Sequence, residues 1–259
     1  MMELKLWQAV ERGGVEEVKE ILRLNPTVKV NWENHQVFDH PVALHRACAA
    51  GRDSIVSILL AHPGIDVNQK NYYGNTPFRL AFANGHTSCV RLLLEDFRVK
   101  VNEPANDRST PLLSASYWGH IEVIRWWIVS GREMNLGTPG DNFTDVIGQS
   151  KQKGKTEVAT LLERFKENPM KTRFLMRLEL GCYDEPAAEI FALVVFVSDG
   201  LLGITKDSIR IPAARILNIV SQLPLELQMV FCYRLVGSKK ELIPGKETEA
   251  AFKDLARRV

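Results

Sequence analysis

Residues 148–156 read Gly-Gln-Ser-Lys-Gln-Lys-Gly-Lys-Thr, two glycines with a Lys-Thr pair behind the second. These are the residue types of a phosphate-cradling loop, in which backbone N–H groups and a lysine hold anionic oxygens. The spacing does not suit that chemistry. Five residues separate Gly148 from Gly154, where such a loop has four, and it must also follow a strand. Six histidines (His35, His40, His45, His62, His86 and His120) offer metal ligands, but no HExxH or paired-cysteine spacing joins them. Cys48, Cys89, Cys182 and Cys232 likewise form no pair with ligand spacing, and read as free thiols suited to a reducing compartment. No GxSxG elbow and no nucleophile with a base at a motif spacing is found. We therefore expect no catalysis, no cofactor and no metal.

The elements that hold these residues follow a period. Gly51, Gly85 and Gly119 recur every 34 residues. Asn68 and Asn102 keep the same interval in a second phase, with Asn135 one residue early, and Thr76-Pro77 and Thr110-Pro111 keep it in a third. A period of this size describes a stack of small helical units that complete one another's cores. Threonine followed by proline opens a helix, because the hydroxyl accepts a free N–H and proline fits the first turn. Glycine ends that helix and lets the chain reverse. Val90, Leu92, Leu93 and Leu94 then give a second helix its apolar face. In this frame Gly154-Lys155-Thr156-Glu157-Val158 is the turn and second helix of a unit.

These units resemble the ankyrin repeat family. The fullest copy runs from Asn71-Tyr72-Tyr73-Gly74-Asn75-Thr76-Pro77 through Gly85-His86 to Val101-Asn102, and copies on either side keep Ala43-Leu44-His45-Arg46-Ala47 and Thr110-Pro111-Leu112-Leu113. The resemblance implies an all-α helical repeat solenoid over residues 1–167 with short β-hairpin-like fingers. Its parts are a cap at 3–30, repeats at about 31–68, 69–102 and 103–135, and a degenerate repeat at 136–167. The first finger, around Asn25 to Pro41, is several residues longer than the rest. The resemblance also implies binding of a protein or peptide partner on a concave face lined by finger tips and first helices. On this chain that face takes Tyr72, Tyr73, Arg46, Leu80, Asn106, Asp107, Tyr117 and Trp118. Tyr117 and Trp118 either anchor a partner or pack against a neighbouring finger. Trp126 and Trp127 take leucine positions and read as core, and the resemblance implies that His45, His86 and His120 brace turns.

The chain has 259 residues and a net charge of +2. Residues 1–167 carry 20 basic and 20 acidic side chains and the remainder 13 and 11, so neither part has the basic excess that nucleic acid selects. No apolar run is long enough to span a bilayer, and the first residues do not read as a signal peptide. We expect a monomer of the cytoplasm or nucleus. Asn142-Phe143-Thr144 matches a glycosylation sequon that such a compartment would leave unused.

Residues 168–259 read as a small helical module covering the end of the solenoid. Helices are expected from Thr172 to Leu180, from Asp184 through the apolar run Ala187 to Leu202, from Pro212 to Leu223, from Pro224 to Gly237, and from Thr248 to Arg258. Val194 to Val197 reads equally as a strand. Residues 222–230 (Gln-Leu-Pro-Leu-Glu-Leu-Gln-Met-Val) are similar to the opening of an F-box, which implies an alternative role as a ubiquitin-ligase substrate adaptor docking through 222–237. An enzyme would instead need polar groups converging between solenoid and module.

Overall fold

In a computed structural model, which describes residues 2–141, 144–182, 184–198, 220, 223, 225–236, 247 and 250–251, the periodic part of the chain folds as successive helix pairs. The pairs are α1 (Met2–Arg12) with α2 (Val15–Leu24), α3 (Ala43–Ala49) with α4 (Asp53–Leu60), α5 (Pro77–Ala83) with α6 (Thr87–Glu95), α7 (Pro111–Trp118) with α8 (Ile121–Ser130), and α9 (Val146–Gln152) with α10 (Thr156–Glu167). First helices pack in a row, α1 on α3, α3 on α5, α5 on α7 and α7 on α9; second helices form a parallel row from α2 to α10. The described residues contain no strand, so the fingers are built from turns.

Thr76 and Thr110 cap α5 and α7 as their type demands, each hydroxyl accepting the N–H three residues on, with proline next. Asp145 caps α9 in place of threonine, its carboxylate accepting from Gly148 N–H. The apparent phosphate loop is thus helix, turn and helix, with Gly148 inside α9 and Gly154 at the turn.

Gly51 and Gly85 show why the period is strict. Both have left-handed backbone, φ +67° and +71°, and a Cβ on Gly51 would lie 2.7 Å from Nδ1 of His86, one on Gly85 2.6 Å from Nδ1 of His120. Each histidine therefore fits over the turn glycine of the repeat before it. His86 Nε2 also bonds the Ala49 carbonyl at 3.0 Å. Within the stack, Phe78 and Phe82 meet the fully buried Trp127 edge to face, with centroids 5.6 and 5.1 Å away. Trp126 departs from the expected core role: it is half-buried beneath the Arg91 guanidinium, 4.0 Å from its ring centre.

The chain divides into two compact units, residues 1–172 and 173–259. Helix α11 (Pro169–Glu179) starts earlier than its periodicity predicts, because Asn168 Oδ1 accepts Lys171 N–H and fixes the first turn. In the second unit α12 (Asp184–Ser198) is helical through Val194 to Ser198, so the strand alternative is not taken. Its apolar character follows from its place: Ala187, Ala188, Phe191, Ala192 and Val194 share a core with Val220, Cys232, Tyr233, Val236 and Ala251. The helix expected from Pro224 is α13, described from Leu225 to Leu235, and Tyr233 donates its hydroxyl to Asp184 at 2.9 Å. The helix expected from Pro212, most of the one from Thr248, and the sequon asparagine lie outside the described residues. No described helix is long and apolar enough to cross a membrane.

Candidate protein-interaction surface

The surface begins with how the fingers are tied together. Asn31, Asn68 and Asn102 each bridge to the next finger's backbone. Asn31 donates to Gly64 C=O and accepts from Asp66 N–H; Asn68 donates to Arg98 C=O and accepts from Lys100 N–H; Asn102 donates to Glu133 C=O and accepts from Asn135 N–H. One amide side chain replaces the two backbone bonds that a strand pair would have supplied. Arg98 and Arg132 add a second tie, donating to Leu60 C=O and to Leu94, Asp96 and Val99 C=O respectively.

The tips follow. Asn71 is buried and its Oδ1 accepts from Tyr73 and Asn75 N–H, which closes the turn and leaves Tyr72 and Tyr73 outside. Tyr72 N–H bonds Asp39 C=O in the preceding finger, and Asn106 N–H and Nδ2 bond Tyr73 and Tyr72 C=O from the following one, each at 3.0 Å. Phe38, 76% exposed, sits 5.9 Å from both tyrosine rings, which are themselves 5.5 Å apart. Three aromatic rings from two fingers form one exposed patch. A patch of this kind is unusual on a surface without a partner.

The residues singled out in sequence divide by what they already hold. Tyr72 (60% exposed) and Tyr73 stand exposed outside the turn, and Trp118 (62% exposed) stands edge-on to Tyr117, with Lys153 Nζ 4.9 Å over the Tyr117 ring. Leu80 and Arg46 line a depression of about 270 Å³ with Trp7, Val37, Pro41 and Ala49. The Arg46 guanidinium grips both Glu11 carboxylate oxygens through Nε and Nη2, the latter at 2.6 Å. Asn106 is engaged in the tie to the preceding finger, and Asp107 within its own finger. Burial works to raise the Asp107 carboxyl, but hydrogen bonds from Ser109 and the Arg79 charge hold it below its ordinary value. Phe38 was not legible, because it lies in the long finger where the period gives no register; its only signal was an aromatic residue at a loop apex.

Burial disfavours the charged form of the buried thiols and of His45. Burial holds Cys48 well above the ordinary thiol value, and pushes Cys89 up to about 11 and Cys232 to about 12, so all three stay protonated and inert. His45 is buried and its pKa is lowered chiefly by that burial; Nδ1 accepts Val42 N–H and Nε2 donates to Asn75 C=O at 2.9 Å. It braces a turn, as its repeat position implied.

Comparison with known proteins agrees with this architecture. The chain is 30% identical over 153 residues to SMC5-SMC6 complex localization factor protein 1 of Bos taurus, covering 54% of this chain and 14% of that protein. It is 26% identical over 205 residues to the E3 ubiquitin-protein ligase XBAT32 of Arabidopsis thaliana, covering 56% and 40%. It is 32% identical over 151 residues to alpha-latrocrustotoxin-Lt1a of Latrodectus tredecimguttatus, covering 58% and 10%. The chain thus spans well under half the length of each of these relatives. The family model for ankyrin repeats in three copies matches residues 6–103 and 44–138, together just over half of the chain. With its glycine turns, threonine-capped helices and asparagine-tied fingers, the chain belongs to the ankyrin repeat family of protein-interaction solenoids.

Proposed function

We propose that the chain is a non-catalytic recognition module that binds a partner protein or peptide on the face formed by its finger tips and first helices. One observation carries this reading: Phe38, Tyr72 and Tyr73 form an exposed aromatic patch whose backbone is fixed by hydrogen bonds between fingers. Aromatic side chains on a rigid support lose little entropy when buried by a partner and commonly dominate interface energy. Tyr117 and Trp118, in the last turn of α7, add a second exposed aromatic pair on the row of first helices. Arg46, Asn106 and Asp107 then act mainly by shaping the face. The domain division that goes with this reading is a recognition solenoid over residues 1–167 and a helical module over 168–259. The test is affinity purification with the whole chain as bait, read by mass spectrometry, beside the Tyr73→Ala/Trp118→Ala variant. Proteins captured by the chain and lost with the variant support the reading; identical captures refute it.

A second reading has its own support. On α13, Leu227 is 52% exposed and Leu235 is exposed with it, and Leu223 is exposed just before the helix. An F-box-like docking helix needs such a leucine face, and one relative is named as a ubiquitin ligase. Under this reading Leu227→Ala/Leu235→Ala abolishes co-purification with a ubiquitin-ligase scaffold while leaving captures by the solenoid face intact.

A further inference from the structure

The long first finger brings together three groups that sequence spacing does not join. Glu33, His35 and His40 place one ligand atom each within 4.8 Å of one another. His35 Nε2 lies 3.9 Å from Glu33 Oε2, and the two imidazoles meet edge to face with centroids 4.7 Å apart. The loop between them is tightly folded. Asn34 N–H bonds Pro41 C=O, Asn34 C=O accepts Val37 N–H, and His40 N–H bonds Val37 C=O. His40 has left-handed backbone, φ 46°, a conformation that costs a residue with a side chain energy, and its ring lies 5.7 Å from that of Tyr72. The remaining oxygen of Glu33 is held from outside: Gln69 Nε2 donates to Oε1 at 3.0 Å, leaving Oε2 toward His35. Outer hydrogen bonds of this kind orient metal ligands in known sites.

We propose that Glu33, His35 and His40 form a site for a divalent transition-metal ion, with zinc the natural occupant. Two imidazole nitrogens and one carboxylate suit zinc, and a fourth position stays open to water or to a partner's side chain. Around a tetrahedral zinc, ligand atoms about 2.0–2.2 Å from the ion stand roughly 3.3 Å apart. Rotation of the exposed His35 and half-exposed Glu33 side chains closes the difference. The ion ties residue 33 to residue 40 and so clamps the turn that carries Phe38 beside Tyr72 and Tyr73. That consequence for Phe38 rests on the recognition reading above; the metal binding does not.

The test is equilibrium dialysis of the full chain against Zn²⁺, with bound metal measured by atomic absorption, and against Co²⁺, with the visible ligand-field spectrum recorded. The variants are Glu33→Gln and His35→Ala/His40→Asn, asparagine being tolerant of left-handed backbone. Circular dichroism confirms that each remains folded. The expected result is one zinc per chain, a cobalt spectrum of low coordination number, and at least about a tenfold loss of affinity in both variants. No stoichiometric zinc, or zinc retained equally by the double variant, overturns the proposal. Neither result bears on whether the aromatic face captures a partner.

Discussion

The imidazole of His45, buried between Val42 N–H and Asn75 C=O, has to fold uncharged, and burial lowers its pKa for that reason. Below the ordinary imidazole value of 6.5 the unfolded chain takes up a proton that the folded chain refuses. The stability is full above that value and is lost as pH falls toward the lowered native one. Asp96, Asp107 and Asp145, held below the ordinary carboxyl value of 3.8, add a further loss only in stronger acid. Urea unfolding should thus show a lower midpoint at about pH 5.5 than at about pH 7.5, and His45→Gln, which cannot titrate, should shrink that difference. An unchanged difference would mean that His45 is not the group responsible. The two tryptophans of α8 make a second prediction. Trp127→Ala empties a site walled by Phe78 and Phe82 and should cost about 3–5 kcal/mol in denaturant unfolding. Trp126→Ala mainly loses a guanidinium stack near the surface, worth about 0.5–1 kcal/mol.

At the scale of elements, what was legible in sequence is what only a few residues can do. Left-handed turns demand glycine and first turns favour proline, so Gly51, Gly85, Thr76-Pro77 and Thr110-Pro111 marked the helix pairs directly. Fingers were less legible, because their conformation is set by bonds to the next repeat, as with Asn68 reaching Arg98 and Lys100. Asparagine as a phase marker was visible; its bridging role was not, nor was Asn31 as its first member. The long finger had no register at all, and with it Phe38 and the Glu33–His35–His40 cluster were missed. In α12 apolar residues nearly all round do not separate helix from strand by period, and it is the core shared with α13 that accounts for them. These ties can be measured. Asn68→Ala removes two bonds between fingers and should lower stability by about 1–2 kcal/mol. Gly85→Ala combines a left-handed backbone with a collision at His120, and should cost at least about 1–2 kcal/mol. If unfolding midpoints are unchanged in both variants, the coupling between repeats lies elsewhere.

At the scale of the molecule, residues 1–172 are a compact stack in which each unit completes its neighbour's core, and residues 173–259 are a compact unit with a core of their own. A stack of this kind spends its buried residues on stability and is free to vary the rest, which is why large aromatics at Phe38, Tyr72, Tyr73 and Trp118 stand exposed. We propose that this face recognises a partner and contributes little to folding. The most direct measurement pairs thermal unfolding with titration of a captured partner for the chain, for Tyr73→Ala/Trp118→Ala, and for Glu122→Ala, an exposed residue of the second-helix row. Near-identical unfolding temperatures are expected for all three proteins, with a loss of affinity greater than about tenfold in the aromatic variant alone. Unchanged affinity in that variant, or a large fall in its unfolding temperature, would contradict the proposal.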